Sequence, residues 1–379
     1  MTKLRLAELT AGEFLRRHWQ KAPLLARRAL PAYTEIARRE TLFELATRDD
    51  LESRIVLRNG RSWRVRHGPF SRRELSRLPR SGWTLLVQGV NHALPAAQEL
   101  LQAFAFIPYA RLDDVMASYA PPGGGVGPHF DSYDVFLLQG EGARRWRVSS
   151  QRDLSLVPAA PLRILRRFRP GREWVLLPGD MLYLPPRCAH DGVALGDCIT
   201  YSIGFRAPDA MELGSRFLEF LQDHLRLDGM YEDPDLRVQC RPALLGASMV
   251  QKAGRMLARI CWSGEDVARF LGCHLTEPKP HVLFARPQRT LAARQYAAHV
   301  ARRGASLAPQ TRMLFRANTL FINGEACPVG TAAARMLTRL ADRRRLPPRA
   351  RLDRESAHWL YHWYRAGYII PGDGGQTDG

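Results

Sequence analysis

The 379-residue sequence predicts an α+β fold in three successive units. Three observations carry that prediction. Between about Asp113 and Arg206, short alternating or apolar runs broken by Gly and Pro (DVMASYA, HFDSYDVFLLQG, RRWRVS, EWVLLPGDMLYLPP, HDGVALG, CITYSIGFRAP) have the length and spacing of strands in a β-sandwich or small barrel. After Pro208 the period becomes helical: MELGSRFLEFLQDHLRL sets Leu213, Phe217, Phe220, Leu221 and Leu225 near one face, and VQKAGRMLARI and EDVARFLGCHL continue the pattern. Finally, MLFRANTLFINGEACPV reads as two strand-like runs about the hairpin pair Asn323-Gly324. Helical TAAARMLTRLADRRRL and a helix around SAHWLYHWYRAGYII follow, which together suggest a winged-helix-like unit.

Each stretch can be justified in chain order. The opening MTKLRLAELTAGEFLRRHWQKAP reads as an amphipathic helix carrying Leu4, Leu6, Leu9, Phe14, Leu15 and Trp19, with no apolar stretch before a small-residue cleavage site, so secretion is not expected. Up to about residue 110, helical segments mix with short strands, and turns fall at Arg58-Asn59-Gly60 and His67-Gly68-Pro69. No run approaches the roughly 18 apolar residues that cross a bilayer. The six cysteines lie far apart with no CxxC, which argues against a disulfide scaffold or zinc ribbon and for free thiols in a reducing cytosol. The net charge of +19 is uneven: Glu277 to Gly379 hold 17 Lys and Arg against 7 Asp and Glu. Such a surface attracts polyanions, but charge alone does not identify the partner.

The segment that carries chemistry is Pro121-Pro122-Gly123-Gly124-Gly125-Val126-Gly127-Pro128-His129-Phe130-Asp131. It reads as a flexible Gly-rich approach to a strand, on which residues i and i+2 share a face, so that His129 and Asp131 converge on one ion. Two such ligands and one distant His form the facial triad of non-haem Fe(II) oxygenases, which leaves three coordination positions open. A 2-oxo acid can chelate two of them and dioxygen can take the third. The best third ligand is His190, which follows LPGDMLYLPP, a tight turn before an apolar strand. Soon after the HxD comes GEGARRWRV, where Arg144 can neutralise the distal carboxylate of 2-oxoglutarate through paired charge-assisted hydrogen bonds. Arg145 competes for that role, and strand alternation lets only one of the two face inward. No element is specific alone; their order within one β-rich stretch is.

These residues resemble a known family. GGGVGPHFDSYDVFLLQGEGARRWRV, the opening EFLRRHWQKAPLL, PGDMLYLPPRCAHDG and the late LFINGE are similar to the bacterial JmjC ribosomal oxygenases, over essentially the full length. Those enzymes act as arginine 3-hydroxylases on a large-subunit ribosomal protein. The resemblance implies a double-stranded β-helix (cupin/JmjC barrel) with N-terminal helices over 1–207, a helical dimerisation domain over 208–278 and a winged-helix-like domain over 279–379. It also implies that His129, Asp131 and His190 bind Fe(II), that Arg144 holds 2-oxoglutarate with Ser118 assisting, and that O2 is the oxidant. Asp114, Met116 and Ser118 alternate along one strand face, and Asp114, Tyr133 and Ser202 match the positions expected to line the substrate pocket; for Tyr133 the competing reading is a packed barrel aromatic. The expected partners are a ribosomal protein, a second copy of the chain in a homodimer and ribosomal RNA nearby; the expected location is the cytoplasm, with no membrane. Competing expectations are histidine hydroxylation, lysine demethylation, or a non-enzymatic nucleic-acid-binding protein.

Overall fold

The computed structural model describes residues 4–60 and 62–372. The chain begins with helix α1 (Ala11–Arg17), strand β1 (Leu24–Ala26), helix α2 (Arg39–Leu45), the hairpin β2 (Ser53–Asn59) and β3 (Ser62–His67), helix α3 (Arg72–Ser76), strand β4 (Trp83–Val87) and helix α4 (Pro95–Gln102). Then come β5 (Leu112–Ala120), β6 (Val135–Glu141), β7 (Arg144–Ser149), β8 (Arg172–Leu176), β9 (Met181–Leu184), β10 (Ala189–Ala194) and β11 (Cys198–Phe205). They form an eight-stranded antiparallel sheet in the order β1-β9-β6-β11-β5-β4-β2-β3 and a three-stranded sheet β10-β7-β8.

Alternation of side chains across the larger sheet creates two different environments. On β5, β6, β9 and β11, Val115, Ala117, Tyr119, Phe136, Leu138, Met181, Tyr183, Ile199, Tyr201 and Ile203 join the main core, which the N-terminal helices cover. The Phe136 ring lies 4.8 to 5.6 Å from the rings of Phe14, Phe104, Tyr183 and Phe205. The intervening residues of β6 and β9, Val135, Leu137, Leu182 and Leu184, meet Trp146, Val148 and Leu176 of the smaller sheet in a separate core. The intervening residues of β5 and β11 are different: Asp114, Met116, Ser118, Thr200 and Ser202 are largely polar, and they line a cavity.

The expected N-terminal helix is shorter than its apolar pattern suggests. Thr10 and Glu13 form a reciprocal capping box that starts α1 at Ala11, so Leu6 and Leu9 sit in a turn before it, paired as an isolated bridge.

Beyond the barrel lie α5 (Ala210–His224), α6 (Ala247–Leu257) and α7 (Gly264–Thr276). Phe217 and Phe220 of α5 pack against Phe270 of α7 with tilted rings. By contrast α6 buries no residue, and Leu218, Leu244, Leu245, Met249, Val250 and Leu257 are exposed. The last region holds α8 (Ala293–Arg303), β12 (Ala305–Leu307), β13 (Met313–Arg316), β14 (Thr319–Ile322), β15 (Glu325–Pro328), α9 (Thr331–Arg343), β16 (Arg345–Leu346), α10 (Arg354–Ala366) and β17 (Ile369–Pro371). The run expected as one hairpin is a three-stranded meander, β13-β14-β15. The first expected strand breaks at Ala317, whose positive φ makes a tight turn that no Gly announces, while Asn323-Gly324 makes the expected second turn. Thr276 at the end of α7 accepts a hydrogen bond from the Gly324 amide, so this helix is fastened to the meander. Trp363 and Tyr364 are buried in the terminal core, with Trp359 and Tyr361 packed against it.

Candidate active site

The HxD motif does not lie on a regular strand, as its alternation suggests, but on the extended approach to β6. His129 alone pairs, through two backbone hydrogen bonds with His190 of β10, at 2.9 and 2.8 Å. Pro128 has no N–H to offer a ladder, and Asp131 uses its carbonyl to accept from the Arg187 amide. Extended geometry is enough to keep i and i+2 on one side. Phe130, between them, packs into a cluster with Leu165 and Ala189.

The glycines before the motif permit close packing rather than flexibility. A Cβ on Gly125 would meet the Gly192 carbonyl at 2.4 Å, and Gly127 has a positive φ and no room for a side chain, since a Cβ there would meet the Trp63 ring at 2.9 Å. The approach is thus pressed against β10 and its neighbours, which fixes His129 beside His190.

Ligand atoms of His129, Asp131 and His190 all lie within 4.8 Å of one another. Each imidazole is oriented from behind: His129 Nδ1 lies 2.8 Å from the Gly127 carbonyl, and His190 Nδ1 lies 2.9 Å from the Cys188 carbonyl. Donation at Nδ1 leaves each Nε2 lone pair free, and that of His190 sits 3.7 Å from Asp131 Oδ2. Burial, with His129 adjacent, holds the His190 pKa down at about 4, so the ring is neutral and able to donate its lone pair. Two imidazoles and one carboxylate on one side of a cavity form a donor set suited to a divalent first-row metal.

The three groups open on a cavity of about 470 Å³ between the two sheets, which also receives Asp114, Ser118, Tyr133, Arg144 and Ser202. Of the two candidate arginines, Arg144 is the inward one: it is 5% exposed, and its Nε and one terminal nitrogen have no hydrogen-bond partner among the described residues. A buried guanidinium with unused donors is a seat for an anion, and a carboxylate would satisfy it. Ser118 on the opposite sheet donates weakly to the Thr200 carbonyl at 3.3 Å. Tyr133 is 42% exposed at the cavity mouth, so it is not a packed barrel aromatic.

Asp114 is buried, and it already has partners. Gln88 Nε2 donates to its Oδ1 at 2.7 Å, and Lys279 Nζ donates to its Oδ2 at 3.1 Å. Burial, with Asp113 beside it, raises the Asp114 pKa. Burial pushes Asp113 the same way, but Lys279 and Arg312 outweigh it and leave that carboxyl below its usual range. Gln88 and Lys279 were not anticipated from the sequence, and neither was Thr84, whose buried hydroxyl lines the cavity without a partner among the described residues. Thr84 and Gln88 had a usable signal, because Thr84, Leu86 and Gln88 alternate along β4 and its end onto the cavity; Lys279 had none.

Comparison with known proteins agrees with this geometry. A JmjC domain matches residues 99–213 and a ROXA-like winged helix matches 259–369. The chain is 35% identical over 277 residues to the ribosomal protein uL16 3-hydroxylase of Escherichia coli, covering 73% of this chain and 74% of that protein. It is 39% identical over 235 residues to a probable ribosomal oxygenase of Haemophilus influenzae, covering 61% and 56% of the two. The X-ray structure of E. coli ycfD superposes with a TM-score of 0.85 at 30% identity, over 97% of this chain and 100% of that one. A structure of the same E. coli protein in complex with cobalt and 2-oxoglutarate gives a TM-score of 0.83 at 30% identity, over 97% and 99%. With a JmjC domain, a ROXA-like winged helix and 35% identity over 73% of its length to a named ribosomal protein hydroxylase, the chain belongs to the JmjC ribosomal oxygenases.

Proposed function

We propose that this chain is an Fe(II)- and 2-oxoglutarate-dependent dioxygenase that hydroxylates an arginine side chain of a large-subunit ribosomal protein. The observation that carries the reading is the shared cavity: three metal-type donors at one wall and the unpartnered Arg144 guanidinium at another. His129, Asp131 and His190 would hold the metal, Arg144 would take the distal carboxylate of 2-oxoglutarate, and Ser118 would assist it. When bound, the iron supplies activation of dioxygen, with 2-oxoglutarate oxidised to succinate and carbon dioxide as one oxygen atom enters the substrate C–H bond. The rest of the work is placement. The carbonyls behind the two imidazoles fix the rings, the apolar inter-sheet core excludes water from the cavity floor, and the buried Asp114 carboxylate offers a cationic side chain its counter-charge. Tyr133 and Ser202 would flank that side chain.

The name of the E. coli relative and the cobalt and 2-oxoglutarate complex support this assignment. Arginine as the target is supported by Asp114, because a buried carboxylate favours a cation over neutral imidazole. The exposed apolar side chains of α5 and α6 support a homodimer through the helical region, and the basic C-terminal region suits an approach to ribosomal RNA. A ribosomal-protein substrate makes the enzyme cytoplasmic; among the described residues no helix is long and apolar enough to cross a membrane. The test is incubation of the purified chain with Fe(II), 2-oxoglutarate, oxygen and peptides of ribosomal protein uL16. The expected result is a mass gain of one oxygen on an arginine, and no gain on any peptide sinks the reading.

A further inference from the structure

Lys279 belongs to neither sheet. It sits in Glu277-Pro278-Lys279-Pro280, the connector from α7 to α8, and its side chain crosses to the barrel to reach Asp114 at 3.1 Å and Asp113 at 3.3 Å. Prolines on both sides restrict the connector backbone, and the Lys279 carbonyl accepts from the Val282 amide, so the side chain is the part free to move. It is about one-third exposed, whereas Asp114 is almost wholly covered.

From this geometry we infer that Lys279 is a specificity-determining residue that acts as an internal competitor for the substrate cation. A guanidinium binds a carboxylate best through both oxygens at once, yet Asp114 Oδ1 is engaged by Gln88 and Oδ2 by Lys279. A second cation at Oδ2 would stand beside the Lys279 ammonium in a poorly solvated site, and like charges there repel. The incoming group therefore exchanges with Lys279 rather than joining it. Asp113 gives the displaced ammonium somewhere to go, because Lys279 already touches its Oδ2 while Arg206 and Arg312 hold its Oδ1.

Two consequences follow. With the pocket empty, Asp114 is not left as an unpaired buried charge, which would destabilise the barrel. A cationic side chain must displace Lys279, whereas a neutral isostere gains nothing from doing so, so the competitor lowers affinity for arginine selectively. Pro278, Lys279 and Arg206 line a second cleft of about 390 Å³ that shares Asp113 with the catalytic cavity, so displacement occurs where the chain flanking a bound side chain would lie.

This inference rests on Asp114 being the seat of the substrate cation, and the test separates the two. The full chain, loaded with Mn(II) and 2-oxoglutarate under argon, is titrated with a fluorescent uL16 peptide bearing the target arginine and with its citrulline counterpart. Lys279→Met should tighten the arginine peptide roughly tenfold while leaving the citrulline peptide within about twofold, and Lys279→Arg, which keeps a cation on the connector, should bind both like the parent. Equal tightening of both peptides would mean that the side chain merely blocks the mouth, and unchanged or weaker arginine binding would mean that it does not compete; either overturns the inference. Asp114→Asn in the same titration reports on the foundation: it must weaken the arginine peptide, and if it does not, Asp114 is not the seat. Melting temperatures of all three variants confirm that a folded protein was titrated.

Discussion

The two faces of the larger sheet are made from the same strands and do opposite work. On β5 and β11 the residues facing the helices are Val115, Ala117, Tyr119, Ile199, Tyr201 and Ile203, all in the main core. One position along, Asp114, Ser118, Thr200 and Ser202 face the cavity. The outward face buries apolar surface and holds the sheet flat against α1, α2 and α4. The inward face keeps polar groups desolvated, and one of them, the Thr84 hydroxyl on neighbouring β4, lacks a partner among the described residues. That polar face is a cost to folding, and the outward face has to offset it. A strand two residues out of phase would keep both faces, but a one-residue slip would exchange them.

This division predicts that substitutions on the two faces separate stability from catalysis. The largest effect should be on the outward face. Phe136→Ala removes a fully buried ring packed among Phe14, Phe104, Tyr183 and Phe205 and should cost about 3–5 kcal/mol of unfolding free energy. Urea denaturation measures it; a loss under about 1 kcal/mol would mean that the outward face is not what stabilises the sheet. Arg144→Met on the inner wall should do the reverse. Loss of the guanidinium should raise the KM for 2-oxoglutarate by about 100-fold, as expected for truncating one member of a buried charge pair. The melting temperature should hold or rise, because an unpartnered buried charge is replaced by an apolar chain of similar length. A fall in stability with an unchanged KM would assign Arg144 to the scaffold instead.

How far the sequence anticipates this arrangement depends on whether the information is local. Strand alternation places Asp114, Met116 and Ser118 on one side and lets only one of Arg144 and Arg145 face inward, because a period of two survives any tertiary context that keeps the strand; the burial of Arg144 then decides which. His129 and Asp131 converge for the same reason even though their segment is extended chain rather than a regular strand. Helix α1 is over-predicted because Leu4, Leu6 and Leu9 mimic a helical stripe, while the deciding signal, the Thr10 to Glu13 capping box, is only four residues long. The strand break at Ala317 is missed because nothing in the composition marks a left-handed residue there. Lys279 is illegible for a different reason: it meets Asp114 across 165 residues, and only the docking of the connector onto the barrel brings them together.

The smallest predicted effect tests where the boundary between the two faces runs. Ser118 is inward-facing, yet its hydroxyl donates to the Thr200 carbonyl on the adjacent strand at 3.3 Å, a long and weak contact. If that bond is its role, Ser118→Ala should lower stability by about 0.5–1.5 kcal/mol and leave the KM for 2-oxoglutarate alone. If the hydroxyl instead turns to the co-substrate carboxylate opposite Arg144, the KM should rise about tenfold, as for one hydrogen bond to a charged acceptor, with stability nearly unchanged. The second outcome is expected. The Thr200 carbonyl sits on β11 in the ladder between β5 and β6, so Ser118 gives up only a long contact in turning away, whereas the neighbouring Thr200 hydroxyl is already engaged, donating to Gln139 Oε1 at 3.1 Å.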